Sequence, residues 1–392
     1  MRRSGSALAI SSAALLLAGC FVPSGPSGTV TSPASDQAGA STTPAGVLAV
    51  FLAPVPTSTR RFQISLVQLD GSVIAKTQGN MRSNAAGTPL PFVSASSSRV
   101  YFLDGDSQLK SFSPAGKVAA VRQISGNDHI RSAFAVSPDD RRIAISTIDY
   151  TQVPPFLRLS VEDLNGGNRT EIFSSGTLYV WPVAWHQGKL VVAVGDAYPA
   201  GPPPQGSAHP WCLPAFGACV ADNPYAATHG YHVVDPADAT RLASLGSAPC
   251  EVEGLLTPGG TMCRESTFKG GLITPTTDCR PELTICQRLV DWSGTITEWT
   301  TVATIWIGII NPSATQMAGC CNGDSLALYA ARTAGGDEKR LGKSAPPVVW
   351  MDDNHLIYQP FNEAMHILTL DVGPDVVVKA PGFPVALLPG GF

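Results

Sequence analysis

Nine cysteines are the residues of this sequence best suited to covalent chemistry, and their spacing divides them into two groups. Cys20 stands alone, directly after an apolar N-terminal segment, whereas the other eight lie between Cys212 and Cys321. A thiol beside an apolar segment can carry a lipid. A group of eight thiols can form disulfides or bind a metal ion. The spacing therefore predicts two separate chemistries.

The first of these chemistries, lipid attachment at Cys20, depends on the N-terminal segment. Two arginines follow Met1, and an uncharged stretch rich in Ala and Leu then runs from 4 to 17, too short to span roughly 30 Å of hydrocarbon. It ends in Leu17-Ala18-Gly19-Cys20, which resembles the lipobox of bacterial lipoproteins. The resemblance implies cleavage after Gly19 and a diacylglycerol, with palmitate-like chains, on Cys20. The alternative is an ordinary signal peptide beside an incidental cysteine.

The lipobox resemblance also implies a place in the cell. The protein is expected at the cell membrane or outer membrane, held by its lipid and facing the periplasm or the exterior. We predict a signal peptide over 1–19, the lipidated cysteine and a flexible tether over 20–46, and a folded domain over 47–392. In 21–46, 21 of the 26 residues are Pro, Gly, Ser, Thr or Ala, a composition that cannot bury enough apolar surface to fold.

In an exported chain the eight remaining cysteines are expected to form disulfides. Cys212 and Cys219 are separated by six residues, as are Cys279 and Cys286, and each pair falls within one predicted loop. We predict these two local disulfides and leave the pairing of the other four cysteines open. Zinc is the alternative, but no paired C-x2-C spacing is present, and we predict no metal site.

The first cysteine-bearing loop is also rich in aromatic residues with polar tips, which suit contact with a protein or a sugar. Five of its residues form the predicted binding rim: His209, Trp211, Tyr225, His229 and Tyr231. The alternative is that these rings pack against one another and fill their own loop. The catalytic residues stay unknown, because the chain contains no G-x-S-x-G, H-E-x-x-H, phosphate-loop or G-x-G-x-x-G motif. We predict no cofactor.

The amino-acid composition limits which fold classes and which kinds of partner are expected. Charged residues are 14% of the chain, while 38 glycines and 33 prolines supply many turns. This balance argues against helical bundles and favours short strands. The formal net charge of −4 gives no basic surface for nucleic acid. The expected partners are therefore the membrane, through the lipid, and a protein or cell-envelope component.

A strand–turn–strand unit recurs along the folded part. In its clearest copy, Ser137-Pro138-Asp139-Asp140 separates two apolar runs, and this turn resembles that of WD40-like, TolB-like propeller repeats, with Asp140 in place of the usual Gly. The resemblance implies an all-β propeller of four-stranded blades. We expect no separate N-terminal domain of the kind that TolB carries, so the resemblance does not carry over TolB's function.

The two ends of the folded part fit one shared blade. The segment that starts at Pro384 reads as a first strand without a second, and 47–52 reads as a second strand without a first. Joined, they would close a ring of seven blades. Six blades remain an alternative because 325–345 is short for three strands, and a two-sheet sandwich is the alternative fold.

Together these observations predict a lipid-anchored β-propeller that binds a protein or envelope component. The alternative is a propeller hydrolase or lyase that acts on extracellular glycan or peptide. A purely structural envelope component is a third hypothesis.

Overall fold

The computed structural model describes residues 46–83, 92–195, 230–245, 250–265, 267–269, 272–274, 286–298, 305–321, 327–333, 337–345, 347–360, 363–370 and 374–391. In these ranges thirty strands form seven four-stranded antiparallel sheets and one two-stranded hairpin. The seven sheets are the blades of a β-propeller, so both the predicted fold class and the predicted number of blades are confirmed. The described ranges contain strands and turns but no helix, and hence no helix able to cross a membrane.

The strands are named here in chain order. Blade 1 begins with β1 (Leu48–Val55), β2 (Ser58–Val67) and β3 (Val73–Asn80). Blade 2 comprises β4 (Val93–Ala95), β5 (Val100–Asp104), β6 (Gln108–Phe112) and β7 (Val118–Gln123). Blade 3 comprises β8 (Ile130–Val136), β9 (Arg142–Asp149), β10 (Phe156–Asp163) and β11 (Thr170–Ser175). Blade 4 comprises β12 (Tyr179–His186), β13 (Lys189–Gly195), β14 (Gly230–Val234) and β15 (Arg241–Ser244).

The other three blades follow the same plan. Blade 5 comprises β16 (Cys250–Thr257), β17 (Gly260–Glu265), β20 (Cys286–Val290) and β21 (Ile296–Glu298), with the hairpin β18 (Thr267–Lys269) and β19 (Leu272–Thr274) between its second and third strands. Blade 6 comprises β22 (Ile305–Ile310), β23 (Gln316–Cys321), β24 (Ala327–Arg332) and β25 (Lys339–Ser344). Blade 7 comprises β26 (Pro347–Trp350), β27 (His355–Tyr358), β28 (His366–Thr369) and β29 (Val376–Val377), and β30 (Phe383–Leu388) returns to blade 1.

Within a blade the strands are called A to D from the centre of the ring outwards. Each A strand contacts the A strand of a neighbouring blade, as β8 does with β4 and β12. The side chains of β8 alternate between two cores: Phe134 and Val136 pack with blade 2, and Ala133 and Ala135 pack with blade 4. The inner strand β8 is therefore apolar and buried over its last four residues, 133–136, since both of its faces are covered there. The outer strand β7 is mostly exposed.

Two tryptophans at matching positions join neighbouring blades. Trp185 is the penultimate residue of strand A of blade 4, and its Nε1 donates to the carbonyl of Ala135 in blade 3 at 3.1 Å. Trp350 ends strand A of blade 7 and donates to the carbonyl of Ile309 in blade 6, also at 3.1 Å. Both rings are at most 2% exposed. Each indole therefore buries a large apolar surface while its N–H keeps a partner.

The two ends of the chain close the ring. Strand β1 pairs on one side with β2 and on the other with β30, where Ala49 lies opposite Leu387. The predicted shared blade is thus confirmed. Beyond β30 the chain continues across the next blades: the Gly390 amide donates to the Ser96 carbonyl at 2.7 Å, and Gly391 lies against Pro138. The closing strand is therefore held to blades 2 and 3 as well as to blade 1.

Candidate functional site

The strand directions give the ring two unlike faces. Strand A of every blade begins at the face reached by the B–C and D–A connections, here called the loop face. The A–B and C–D turns lie on the opposite face, here called the turn face. Loops on a rigid scaffold commonly carry binding, so the loop face is the first place to look for a site.

The long segments singled out in the sequence leave the loop face from neighbouring blades. Residues 196–229 connect β13 with β14, whose ends pair through Val194 and Gly230. Residues 266–285 connect β17 with β20, whose ends pair through Glu265 and Cys286. Both segments thus lie between strands B and C of adjacent blades. The ring therefore fixes where both connections begin and end.

The predicted binding rim falls mostly outside the described residues. This applies to His209, Trp211, Tyr225 and His229. Tyr231 is described, and its placement corrects the prediction: it is the second residue of β14, pairs with Ala193 of β13 and is fully buried in the core of blades 3 and 4. A residue inside a paired strand between two blades has no surface to offer a partner, so Tyr231 is a packing residue.

The predicted lipidation and disulfide sites also lie largely beyond the described ranges. Cys20, Cys212, Cys219 and Cys279 are outside them. Cys286 is the first residue of β20, and its backbone pairs with Glu265. Lipidation at Cys20 and the two local disulfides therefore stay predictions.

Near blade 4 the loop face carries exposed apolar side chains. Val153, in the B–C connection of blade 3, is 97% exposed, and Leu178, in the following D–A connection, is 40% exposed. Hydrogen bonds fix both connections: the Tyr179 hydroxyl donates to the Pro155 carbonyl at 3.2 Å, and the Asp149 carboxylate accepts from the backbone and hydroxyl of a threonine in the same loop. The apolar side chains are thus presented on ordered loops.

The loop-face turn of blade 2 contains two aspartates whose oxygens are engaged by protein donors. Asp104 accepts hydrogen bonds from the backbone and side-chain nitrogens of Asn80 at 2.6 and 2.8 Å and pairs with Lys110. Burial raises the pKa of Asp104, but the bonds from Lys110 and Asn80 outweigh burial, and the pKa lies below its ordinary value. Asp106 accepts both the amide and the hydroxyl of Ser83. These carboxylates fix the turn.

In blade 7 a histidine, two carboxylates and a tyrosine hydroxyl meet beside the loop face. Tyr358 ends strand B and lies opposite His366, which begins strand C. Nδ1 of His366 lies 3.0 Å from Oδ2 of Asp375, and the Tyr358 hydroxyl donates to the same oxygen. On its other side, Nε2 of His366 lies 3.7 Å from Oε2 of Glu363. These four residues are called the blade 7 cluster.

Burial differs across the blade 7 cluster. Tyr358 is 1% exposed, whereas the side chains of His366 and Asp375 are 16% and 14% exposed and that of Glu363 is 64% exposed. Burial, followed by the hydrogen bond to Asp375, raises the pKa of Tyr358 well above its ordinary value, so this hydroxyl stays protonated and donates. Sequence analysis missed the cluster because its members come from separate strands and loops. The spacing Glu363-x-x-His366 was its one sequence signal.

The turn face holds carboxylates that are structural. Asp140 lies in the A–B turn of blade 3 and accepts hydrogen bonds from Ser98 at 2.7 Å and Tyr101 at 2.9 Å, both in blade 2. Burial, reinforced by Asp140, raises the pKa of Tyr101 above its ordinary value. In the A–B turn of blade 7, Asp352 lies 2.8 Å from Nδ1 of His355. These side chains hold turns and join blades.

A small apolar recess lies where the inner strands of four blades end at the turn face. It is open to solvent, and its cavity volume is about 20 Å³, room for about one water molecule. Its lining is Leu256, Thr257, Pro258, Ile309, Ile310, Pro312, Val349, Trp350 and Leu387. Thr257 is the single hydroxyl among these side chains, so the recess provides few polar groups to orient a ligand.

Across the described ranges, no three or more His, Cys, Asp and Glu side chains come together as a group that could hold a metal ion.

Comparison with known proteins finds only distant structural similarity. No family model and no curated protein sequence matches the chain. Among solved structures, an oligogalacturonate lyase in complex with manganese is 12% identical, covering 79% of this chain and 83% of its own, with a TM-score of 0.49. An oligogalacturonate lyase from Vibrio parahaemolyticus is 11% identical, covering 83% of this chain and 98% of its own, with a TM-score of 0.47.

A third similar structure is the β-propeller domain of the Trilobed protease from Pyrococcus furiosus. It is 10% identical, covers 83% of this chain and 84% of its own, and has a TM-score of 0.39. Identities this low carry no information on activity, since one fold hosts many unrelated functions.

Proposed function

We propose that this protein is a lipid-anchored binding module of the bacterial cell envelope, whose loop face engages a protein or another envelope component. The observation that carries the proposal is the pair of long B–C connections, 196–229 and 266–285, that leave the same face from adjacent blades. The rigid ring beneath them holds their ends at fixed separations. A preorganised platform of this kind reduces the entropy lost on binding.

Exposed apolar side chains on the same face support this proposal. Val153 lies in the B–C connection of blade 3, and Leu178 directly precedes Tyr179, which pairs with Gly195 at the start of the 196–229 segment. Apolar side chains held on ordered loops suit the centre of a protein interface. The aromatic residues predicted for the rim, Trp211 among them, would extend this surface.

The anchor is the second part of the proposal. The lipobox-like Leu17-Ala18-Gly19-Cys20 and the tether that follows it would hold the propeller away from the membrane. Several acyl chains on one residue give stable attachment, where a single chain gives weak and reversible binding. Replacing Cys20 with Ser should therefore move the protein from the membrane fraction to the soluble fraction.

The binding face is tested by photo-crosslinking in native membranes. Probes are placed at Trp211 and Val153 on the loop face, and a matched control probe at Ala115, an exposed residue of a C–D turn on the turn face. The proposal expects a discrete protein adduct at Trp211 or Val153 and none at Ala115. Adducts at all three positions would show contacts on both faces and contradict a binding site confined to the loop face. Adducts at none would contradict protein binding and favour the hydrolase or lyase alternative.

A further inference from the structure

The blade 7 cluster has the hydrogen bonds that surround a metal-binding histidine. A neutral imidazole that donates its Nδ1 proton to Asp375, which lies 3.0 Å from Nδ1 of His366, carries its lone pair on Nε2. Tyr358 donates to the same Asp375 oxygen and so holds the carboxylate behind the imidazole. Histidines that bind metals nearly always donate their second ring N–H to a carboxylate, carbonyl or water.

The second carboxylate lies on the side of the imidazole where an ion would bind. Nε2 of His366 and Oε2 of Glu363 are 3.7 Å apart, beyond hydrogen-bonding distance. Zinc binds nitrogen and oxygen at about 2.0–2.2 Å, so two such ligands at a tetrahedral angle lie about 3.4 Å apart. Glu363, with a 64% exposed side chain, would need to move by about 0.3 Å to fit.

We propose that His366 and Glu363 bind a divalent transition-metal ion of the zinc class at the loop-face end of blade 7. Imidazole nitrogen with carboxylate oxygen suits zinc and its neighbours rather than calcium or magnesium, which prefer oxygen alone. Asp375 and Tyr358 are positioning residues, because they orient the histidine through Nδ1. Since these two do not face the ion, water fills the remaining coordination positions.

The proposal is consistent with the absence of a cluster of three metal-binding side chains in the described ranges. Two protein ligands predict a weaker site than a closed structural zinc site, with open coordination positions. The proposal stands independently of the binding function proposed above, because it concerns only side chains of blade 7.

The test is titration of zinc chloride into the full chain by calorimetry, after free thiols have been alkylated so that cysteines do not compete. Wild-type protein should show one saturable site. Glu363→Gln should weaken that site by at least tenfold, because it removes the charged ligand and keeps the shape of an exposed side chain. His366→Gln should abolish the site.

His355→Gln is the matched control. His355 is also held through Nδ1 by a carboxylate, Asp352 at 2.8 Å, but the described residues place no second carboxylate beside it. Zinc affinity should therefore be unchanged in this variant. The proposal would be overturned by a wild-type protein without saturable binding, by equal affinity in Glu363→Gln, or by an equal loss in His355→Gln.

Discussion

Replacing Asp140 with glycine should destabilise the propeller, although glycine is the residue that this turn carries in the repeats it resembles. Asp140 has φ 60°, in the left-handed region that glycine adopts at no steric cost. Its carboxylate also accepts hydrogen bonds from Ser98 and Tyr101 in the neighbouring blade. Glycine would relieve the backbone and remove both bonds. The sign of the effect depends on which change is larger.

The structure allows both changes to be estimated. A hydrogen bond to a charged group contributes about 1.5–3 kcal/mol, and a buried hydroxyl left without its partner costs about 1–3 kcal/mol. Tyr101 is 2% exposed, so water cannot readily replace Asp140 as the hydrogen-bond partner of its hydroxyl. Relieving the left-handed backbone strain of aspartate stabilises the folded state by about 1 kcal/mol. Glycine also makes the unfolded chain more flexible, and this offsets most of that stabilisation. The bond from Tyr101 alone therefore gives an expected net loss of at least about 2 kcal/mol, or roughly thirtyfold in the folding equilibrium.

Equilibrium unfolding in urea, followed by tryptophan fluorescence, measures this loss. Asp139→Gly is the matched control, because Asp139 is adjacent, its side chain is 58% exposed, and its carboxylate hydrogen-bonds only within its own turn among the described residues. Tyr101→Phe removes one of the same bonds without changing the backbone, so its effect should not add to that of Asp140→Gly. A midpoint for Asp140→Gly equal to or above wild type would refute the reasoning.

Two further predictions concern ring closure and pH. Gly382 has φ +87°, and an added Cβ would clash with the Leu52 carbonyl oxygen in the closing blade, so Gly382→Ala should cost about 3 kcal/mol or more in urea unfolding. Gly116→Ala, at φ +79° with open space around it, should lower the free energy of unfolding only by the backbone strain of about 1–2 kcal/mol. Equal losses in the two variants would contradict a steric clash at position 382. Folding lowers the pKa of Asp104. The ionised carboxylate therefore stabilises the folded state above the ordinary carboxyl pKa, and this stabilisation is lost as pH falls. The free energy of unfolding should therefore fall less steeply below about pH 4 in Asp104→Asn than in wild type, and identical slopes would show that Asp104 is not held ionised.

Much of the architecture could be predicted from local sequence. Apolar runs separated by Pro, Asp and Gly turns mark strands and hairpins, because turn residues and strand residues differ in the backbone angles they favour. The copy around Ser137-Pro138-Asp139-Asp140 corresponds to β8, its A–B turn and β9. The unmatched strands at the two ends of the folded part predicted the shared blade, since a strand without a partner leaves backbone groups unpaired.

The candidate site was less accessible to such reasoning. Tyr231 resembles a rim residue by its type and its position beside a long loop, yet it is fully buried in β14. Asp140 resembles a solvated turn residue, yet it joins two blades. In both cases the side chain's neighbours come from another strand or blade, and the spacing of residues in the sequence does not reveal such contacts.

By itself, the sequence predicted the repeating unit of strands and turns and the way the ring closes, whereas the structure decided between six and seven blades. These follow from backbone preferences and from the need to pair strands, and both act between residues near one another in sequence or at the two unpaired ends. Tertiary structure alone decided which polar side chains meet, as Glu363, Tyr358 and His366 do around Asp375. Such meetings depend on how separate strands are placed in three dimensions, where burial and distance set the chemistry of each group.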